Sequence, residues 1–87
     1  MKEIEIIPLA QKKADRRGIK KELIEDTVLK PIQVVDGYGG RKVAQSKIII
    51  EGKEYLLRVV YADTEQKNIV VTAYLTSQIS RYWREEK

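Results

Sequence analysis

The residues best suited to chemistry are an arginine, a threonine and a tyrosine in two segments that alternate like β-strands. Arg58 lies at the middle of an apolar run, and Thr72 and Tyr74 occupy alternate positions of another. Alternation places the three side chains on one face if the strands are neighbours. An arginine at mid-strand is costly to bury alone, so it is either paired or faces a cleft. In a cleft, its guanidinium stabilises a pentacoordinate phosphorane, while the tyrosine transfers a proton or stacks on a base.

A purely structural interpretation of the same residues is equally compatible with the sequence. Arg58 would then form a cross-strand ion pair with Glu54 or Glu51, and Tyr74 would be an ordinary amphipathic tyrosine. The two interpretations differ in whether a carboxylate neutralises the guanidinium.

Two other segments carry cations beside glycine or aromatic residues. Gly37 to Gly40 lack the spacing and the following helix of a nucleotide-binding loop, so they predict a hairpin turn from which Arg41 still reaches a ligand. Arg81-Tyr82-Trp83 interleaves cations and aromatic rings, as single-stranded RNA binders do. The spacing favours Trp83 as a core anchor, which leaves Arg81 and Tyr82 outside to contribute to a site.

Near the N-terminus, cations crowd into ten residues that include a single acid, Asp15. The cations are Lys12, Lys13, Arg16, Arg17, Lys20 and Lys21. In nucleic-acid binding, such a cluster contacts phosphate groups, and these contacts do not depend on the base sequence. It is also typical of a solvated helix face whose long side chains cover the edge of the core.

The amino-acid composition excludes several classes of catalytic and metal-binding site. The 87 residues include no cysteine and no histidine, which excludes disulfides, thiolate metal sites, catalytic triads and paired-histidine nuclease mechanisms. The scattered acids show no metal-ligand spacing, so we predict no metal and no cofactor. The net charge of +4 permits a polyanionic partner without demanding one. With no membrane-spanning run and no signal-peptide pattern, we expect a cytoplasmic protein.

The elements that must position these residues form one α+β domain over residues 1–87. The patterns predict helices at 9–17 and 20–30, ended by Gly18 and Pro31. Strands follow at 32–36, 42–51, 54–62 and 68–74, and the short loops between them imply an antiparallel sheet of about four strands. Residues 3–7 alternate and suit a further short strand, and a short helix containing Ile79 closes the chain.

Strand alternation also predicts which faces are buried. The row Ile69, Val71, Ala73 and Leu75 is wholly apolar and should lie under the helices. Pairing it with the row from Tyr55 to Tyr61 leaves Arg58, Thr72 and Tyr74 on the opposite, more open face.

Several segments, in this order, resemble a known pattern over residues 8–84. They are Arg16-Arg17-Gly18-Ile19, Leu29-Lys30-Pro31, Gly39-Gly40-Arg41-Lys42, the run from Gly52 to Val60, the run from Ile69 to Tyr74, and Arg81-Tyr82-Trp83. The chain resembles a widespread prokaryotic family of small domains of unknown function, itself similar to the RelE/ParE-type toxins of toxin–antitoxin pairs.

This resemblance implies a compact sheet with two helices on one face and a cleft on the other. Toxins of that fold often cleave messenger RNA, some only within the ribosome, and others poison DNA gyrase. A small antitoxin, expected here to be acidic, usually covers the basic cleft. The family's recurrent strand arginine falls on Arg58, its strand-end pair on Thr72 and Tyr74, and its basic position after the glycines on Arg41. The histidine that related domains carry near Gln11 is absent here.

The sequence therefore predicts a toxin that cleaves RNA without a metal ion. Its catalytic candidates are Arg58, Tyr74, Arg41, Arg81 and Tyr82. Because histidine is absent, Tyr74 and Tyr82 are the candidate acid–base groups. The candidates for nucleic-acid contact are Lys12, Lys13, Arg16, Arg17, Lys20 and Thr72. The alternatives are a non-catalytic module that binds protein or nucleic acid through the same face, and an inactive family member.

Overall fold

Residues 2–84, which the computed structural model describes, form five strands and three α-helices in the α+β class. The elements are β1 (Glu3–Ile6), α1 (Pro8–Arg16), α2 (Lys21–Leu29), β2 (Gln33–Asp36), β3 (Lys42–Ile50), β4 (Lys53–Asp63), β5 (Lys67–Thr76) and α3 (Ile79–Tyr82). A 3₁₀ turn at Tyr38–Gly40 joins β2 to β3. The predicted class is confirmed, and the element bounds lie close to those expected.

The sheet has one more strand than the antiparallel meander predicted from the sequence. Its order is β1-β5-β4-β3-β2, and β1 pairs parallel with β5 while every other pair is antiparallel. The sheet is therefore mixed. Short loops predict pairing only between strands that follow one another in the chain. β1 instead pairs with β5, and the paired residues Glu3 and Lys67 are more than 60 residues apart in the sequence.

A tight hairpin sets the register at the centre of the sheet. Glu51 and Gly52 both have positive φ, 51° and 79°, as a two-residue type I′ turn requires. The turn brings Ile50 opposite Lys53, and the same register then carries Gln45 opposite Arg58. This alignment decides which side chain meets the central arginine.

A β-bulge in β5 corrects the predicted faces of that strand. Val60 lies opposite Thr72 but Tyr61 lies opposite Val70, so Val71 is an extra residue. Val70 consequently joins the core beneath the helices together with Ala73, whereas alternation alone had placed Val70 on the opposite face. Thr72 lies beyond the bulge and keeps its predicted side.

The core lies between one face of the sheet and the two N-terminal helices. Its buried members are Ala10, Ala14, Ile19, Ile24, Val28, Ala44, Leu57, Val59, Tyr61, Val70 and Ala73. Ala10 and Ala14 are the only buried residues of α1, and their small side chains let this helix approach β5 closely. The other face of the sheet, called the open face below, carries no N-terminal helix. No helix within residues 2–84 has the length and apolar character needed to cross a membrane.

Tyr61 makes the fold sensitive to alkaline pH. Burial and the neighbouring Asp63 carboxylate raise the pKa of Tyr61 above its usual 10.0, partly opposed by Lys2. The folded state thus holds the phenol proton more tightly than the unfolded state. That contribution is complete below pH 10 or so and is lost as the pH rises through the folded pKa. We expect the free energy of unfolding to fall above about pH 10, and Tyr61→Phe to reduce this fall.

Urea unfolding at a series of alkaline pH values measures the effect. Glu5 raises the pKa of Lys67 in the same direction, so some slope persists in the variant. Tyr38→Phe changes an exposed turn residue and should behave as the wild type. An identical slope in the wild type and Tyr61→Phe would contradict the assignment.

Candidate functional site

One rung of four polar side chains crosses the open face. Strand register places Gln33 opposite Gln45, Gln45 opposite Arg58, and Arg58 opposite Tyr74. These residues come from β2, β3, β4 and β5 respectively, so the rung spans the four antiparallel strands. Because each is directly opposite the next, neighbouring side chains lie within contact distance.

Hydrogen bonds link the rung from end to end. The Arg58 Nε donates to Gln45 Oε1 at 2.7 Å, and its Nη1 donates to the Tyr74 hydroxyl. Gln45 Nε2 donates in turn to Gln33 Oε1 at 2.9 Å. Gln45 is completely buried and Arg58 is half-buried, so these bonds hold the guanidinium in one orientation.

The two glutamines also hold residues 79–84, called the C-terminal segment below. Gln45 Nε2 lies 3.3 Å from the carbonyl oxygen of Tyr82. Gln33 accepts a hydrogen bond from the backbone N–H of Arg84 at 2.8 Å and donates to its carbonyl oxygen. All of these bonds reach main-chain atoms of the segment, which is thereby fixed over the β2–β3 side of the open face.

The C-terminal segment adds aromatic rings and a second cation to the site. Arg58 Cζ lies 4.3 Å from the ring centroid of Tyr82 and 5.6 Å from that of Tyr74. Arg81 Cζ is 5.5 Å from the centroid of the same Tyr82 ring, and Arg81 Nη1 donates a hydrogen bond to Gln78 Oε1. The structure therefore brings together four of the predicted site residues: Arg58, Tyr74, Arg81 and Tyr82.

The guanidinium of Arg58 has no carboxylate partner within residues 2–84. The ion pairs in this part of the chain join Lys2 to Asp63 and Lys67 to Glu5. The ion pair considered from the sequence, with Glu51 or Glu54, does not form, because Arg58 turns along its rung toward Gln45 and Tyr74. A half-buried cation with neutral partners is poised to bind an anion.

The other predicted residues lie elsewhere. Arg41 precedes β3 and is four residues from Gln45, roughly 13 Å along an extended chain, and has no side-chain bond to the rung. Thr72 is on the open face, two residues from Tyr74 along β5. The basic cluster is on or just after α1, with Lys12, Arg16, Arg17 and Lys20 exposed and Lys13 half-buried.

Arg17 is the member of this cluster that touches the sheet. Its Nη1 donates to the carbonyl oxygen of Ala73 at 2.7 Å. That carbonyl lies on the edge of β5 beyond β1, which pairs only as far as Val70. The basic cluster thus reaches the sheet edge one residue from Tyr74.

Gln33 and Gln45 are the site residues that sequence reasoning missed. A glutamine in an alternating strand usually indicates a solvent-exposed position, and nothing local distinguishes these two. The signal that identifies them is cross-strand register, because each is directly opposite another polar residue.

Comparison with known proteins gives a family without an assigned activity. A family model described as "Domain of unknown function (DUF4258)" matches residues 10–75. No curated protein and no solved structure matches the chain significantly. The matched range contains the whole rung from Gln33 to Tyr74 and ends before the C-terminal segment. The match covers about three quarters of the chain, and the protein belongs to this family of domains of unknown function.

Proposed function

We propose that the open face binds single-stranded RNA and cleaves it without a metal ion, and that the protein acts as the toxin of a toxin–antitoxin pair. The observation that carries the proposal is Arg58, a half-buried cation fixed by Gln45 and Tyr74, with no carboxylate partner in residues 2–84. Its charge is complementary to a phosphate, and its fixed orientation is what transition-state stabilisation requires.

The remaining donors of Arg58 suit a phosphorane. A guanidinium has five N–H donors, and the bonds to Gln45 and Tyr74 use two of them. The others are available to two phosphate oxygens, in the bidentate arrangement that arginine favours. The Tyr82 ring covers one face of the guanidinium, so the ligand must approach along its edge.

Tyr74 is well placed as the proton donor. Its oxygen accepts the hydrogen bond from Arg58, which leaves its own hydroxyl hydrogen to point toward a ligand. In the proposed reaction, the 2′-hydroxyl oxygen attacks phosphorus and the bond to the 5′-oxygen breaks. Tyr74 protonates the 5′-oxygen and becomes the phenolate, while Tyr82, acting as a phenolate, takes the proton of the 2′-hydroxyl; proton exchange with solvent then restores both groups. Arg81 supplies a second positive charge beside Tyr82.

The basic cluster extends this site around the edge of β5. Arg17 contacts Ala73, the residue before Tyr74, so a phosphate backbone bound at Arg58 can continue past Thr72 toward Arg17 and the exposed cations beside it. An acidic antitoxin would be expected to bind the same surfaces, with a carboxylate at Arg58 and other acids along the cluster.

Tyr74→Phe tests the catalytic role with the smallest change. The variant keeps the aromatic ring and loses the proton, so RNA cleavage should fall by about 10²–10⁴-fold. Tightly controlled expression in a bacterial host, with growth and total RNA integrity followed together, should show arrest and new RNA ends for the wild type alone. Cleavage of a defined RNA by purified protein gives the rate.

Tyr38→Phe is the matched control, because Tyr38 is exposed in the turn before β3 and takes no part in the hydrogen bonds of the rung. It should retain wild-type activity. Full activity of Tyr74→Phe would refute the acid role. Normal growth and intact RNA with soluble, folded wild-type protein would refute the nuclease proposal.

Non-catalytic binding through the same face is the second candidate. It is favoured by the way Gln45, Tyr74 and Tyr82 already surround Arg58, which makes the guanidinium a fixed anchor for a single anionic group. The discriminating result is a stable complex with RNA that stays intact and is weakened by Arg58→Met.

A further inference from the structure

A second cation of the open face lies against an aromatic ring of the C-terminal segment. The ammonium of Lys47 is 4.4 Å from the ring centroid of Trp83. The preceding ring, Tyr82, has Arg58 Cζ at 4.3 Å from its centroid. Two consecutive aromatic residues of the segment thus each contact one cation of the sheet. Single-stranded nucleic acids bind surfaces of this composition, because bases stack on the rings and phosphates bind the cations.

Strand register places Lys47 diagonally next to Arg58 on the open face. Lys47 is opposite Leu56, the residue two positions before Arg58 along β4. Thr72 is opposite Val60, the residue two positions after Arg58. Thr72, Arg58 and Lys47 therefore follow one diagonal across β5, β4 and β3, with about 7–8 Å between successive positions. This spacing suits consecutive nucleotides of an extended single strand.

The charges along this diagonal suit a phosphate at Lys47 and not beyond it. Lys47 is exposed, and the ion pairs within residues 2–84 do not include it. Its ammonium has three N–H donors, so contact with one face of a ring leaves donors for a phosphate. The next pair of opposite residues on this face is Ile49 and the exposed acid Glu54. The Glu54 carboxylate repels a further phosphate, so the cationic path ends at Lys47.

We propose that Lys47 and Trp83 form a nucleotide subsite beside Arg58. One phosphate of a bound RNA binds Arg58, and the neighbouring phosphate binds the Lys47 ammonium. Trp83 is half-buried, and the base of that nucleotide stacks on the exposed part of its indole. This inference rests on the proposed function, in which RNA is the ligand of the open face, and it extends the substrate by one nucleotide toward the β3–β4 hairpin.

A purely anchoring role for the contact between Lys47 and Trp83 makes different predictions. The C-terminal segment is already fixed by hydrogen bonds from Gln33 and Gln45 to its main chain, which involve neither side chain of this pair. A contact that only anchors the segment leaves the number of bound phosphates unchanged when Lys47 loses its charge. A subsite contributes one phosphate contact, and each such contact with a single strand adds about 0.7 to the slope of log Kd against log salt concentration.

Intrinsic fluorescence tests the base contact, because Trp83 is the single tryptophan of the chain. The probe is a 2′-O-methyl RNA octamer of mixed sequence, which lacks the attacking 2′-hydroxyl and stays intact. It should quench the tryptophan emission over the concentration range in which a labelled octamer binds by anisotropy, and Arg58→Met should shift both curves to higher concentration. Binding with unchanged emission would overturn the subsite and leave the proposed function standing. Absence of octamer binding would overturn both.

Salt dependence tests the phosphate contact. Lys47→Met should lower the slope of log Kd for the octamer against log salt concentration by about 0.7. Lys53→Met is the matched control, because Lys53 belongs to the same hairpin and also lies over a ring, that of Tyr55 at 5.4 Å, on the helix side of the sheet. It should leave the slope unchanged. Trp83→Leu should weaken octamer binding by about 5–150-fold. Equal slopes for the wild type and Lys47→Met would overturn the proposal.

Discussion

Arg58→Lys is expected to lower RNA cleavage by about 10²–10³-fold although it preserves the charge. Lysine cannot donate to Gln45 and Tyr74 while also presenting paired N–H groups to a phosphate, because its ammonium is a point charge without the planar fork. Arg58→Met should lower cleavage at least as much and should also weaken RNA binding. Rates on a defined RNA and binding by fluorescence anisotropy separate the two effects.

The stability of these variants decides whether Arg58 is a functional or a structural residue. Arg58→Met removes two hydrogen bonds and two cation–π contacts, but it also removes the cost of desolvating a cation that has no carboxylate partner in residues 2–84. The variant also leaves the buried Oε1 of Gln45 without its donor, so on balance we expect the free energy of unfolding to fall by about 1–2 kcal/mol. A loss of more than about 3 kcal/mol would instead identify Arg58 as part of the folding core.

Gln45→Leu is expected to lower the free energy of unfolding by about 2–4 kcal/mol. Gln45 is fully buried, accepts from Arg58 and donates to Gln33 and to the Tyr82 carbonyl. Leucine leaves these partners unsatisfied, at about 1–3 kcal/mol for each buried group. Chemical denaturation measures the loss. Gln66→Leu, at an exposed loop position, should change stability by less than about 0.5 kcal/mol.

Gln45→Glu separates stability from anion binding at the same position. A carboxylate still accepts from Arg58, and it neutralises the guanidinium as an internal counter-ion. RNA binding should therefore fall as far as in Arg58→Met, even where the variant remains folded. Wild-type RNA affinity in folded Gln45→Glu would contradict an anion site at Arg58.

Local sequence signals predicted the helices and the antiparallel meander, but not the complete sheet. Gly18 and Pro31 end the helices close to where they were expected, and Glu51-Gly52 forms the expected hairpin turn. The pairing of β1 with β5 depends on tertiary contact between distant segments. The bulge at Val71 likewise depends on how β5 pairs with β4, and period-two alternation cannot reveal it.

The candidate site, like the fold, could be predicted only in part from the sequence. Arg58, Thr72 and Tyr74 could be placed on one face from alternation alone, because the bulge lies beyond Thr72 and leaves that part of β5 in phase. Gln33 and Gln45 could not be assigned, since their partners are set only when the β2–β3 and β3–β4 registers are fixed. Their donors and acceptors complete a network that no single segment contains.

The C-terminal segment is held to the sheet through its main chain. Gln33 and Gln45 bind main-chain atoms of Tyr82 and Arg84, so the position of the segment does not depend on which side chains it carries. Substitutions at Arg81 or Tyr82 can change the surface offered to a ligand without moving the backbone that presents it. The family match ends at residue 75, before this segment. Main-chain anchoring therefore separates two properties of residues 79–84: the hydrogen bonds to the glutamines fix where the backbone lies, and the side chains decide what the open face offers to a ligand.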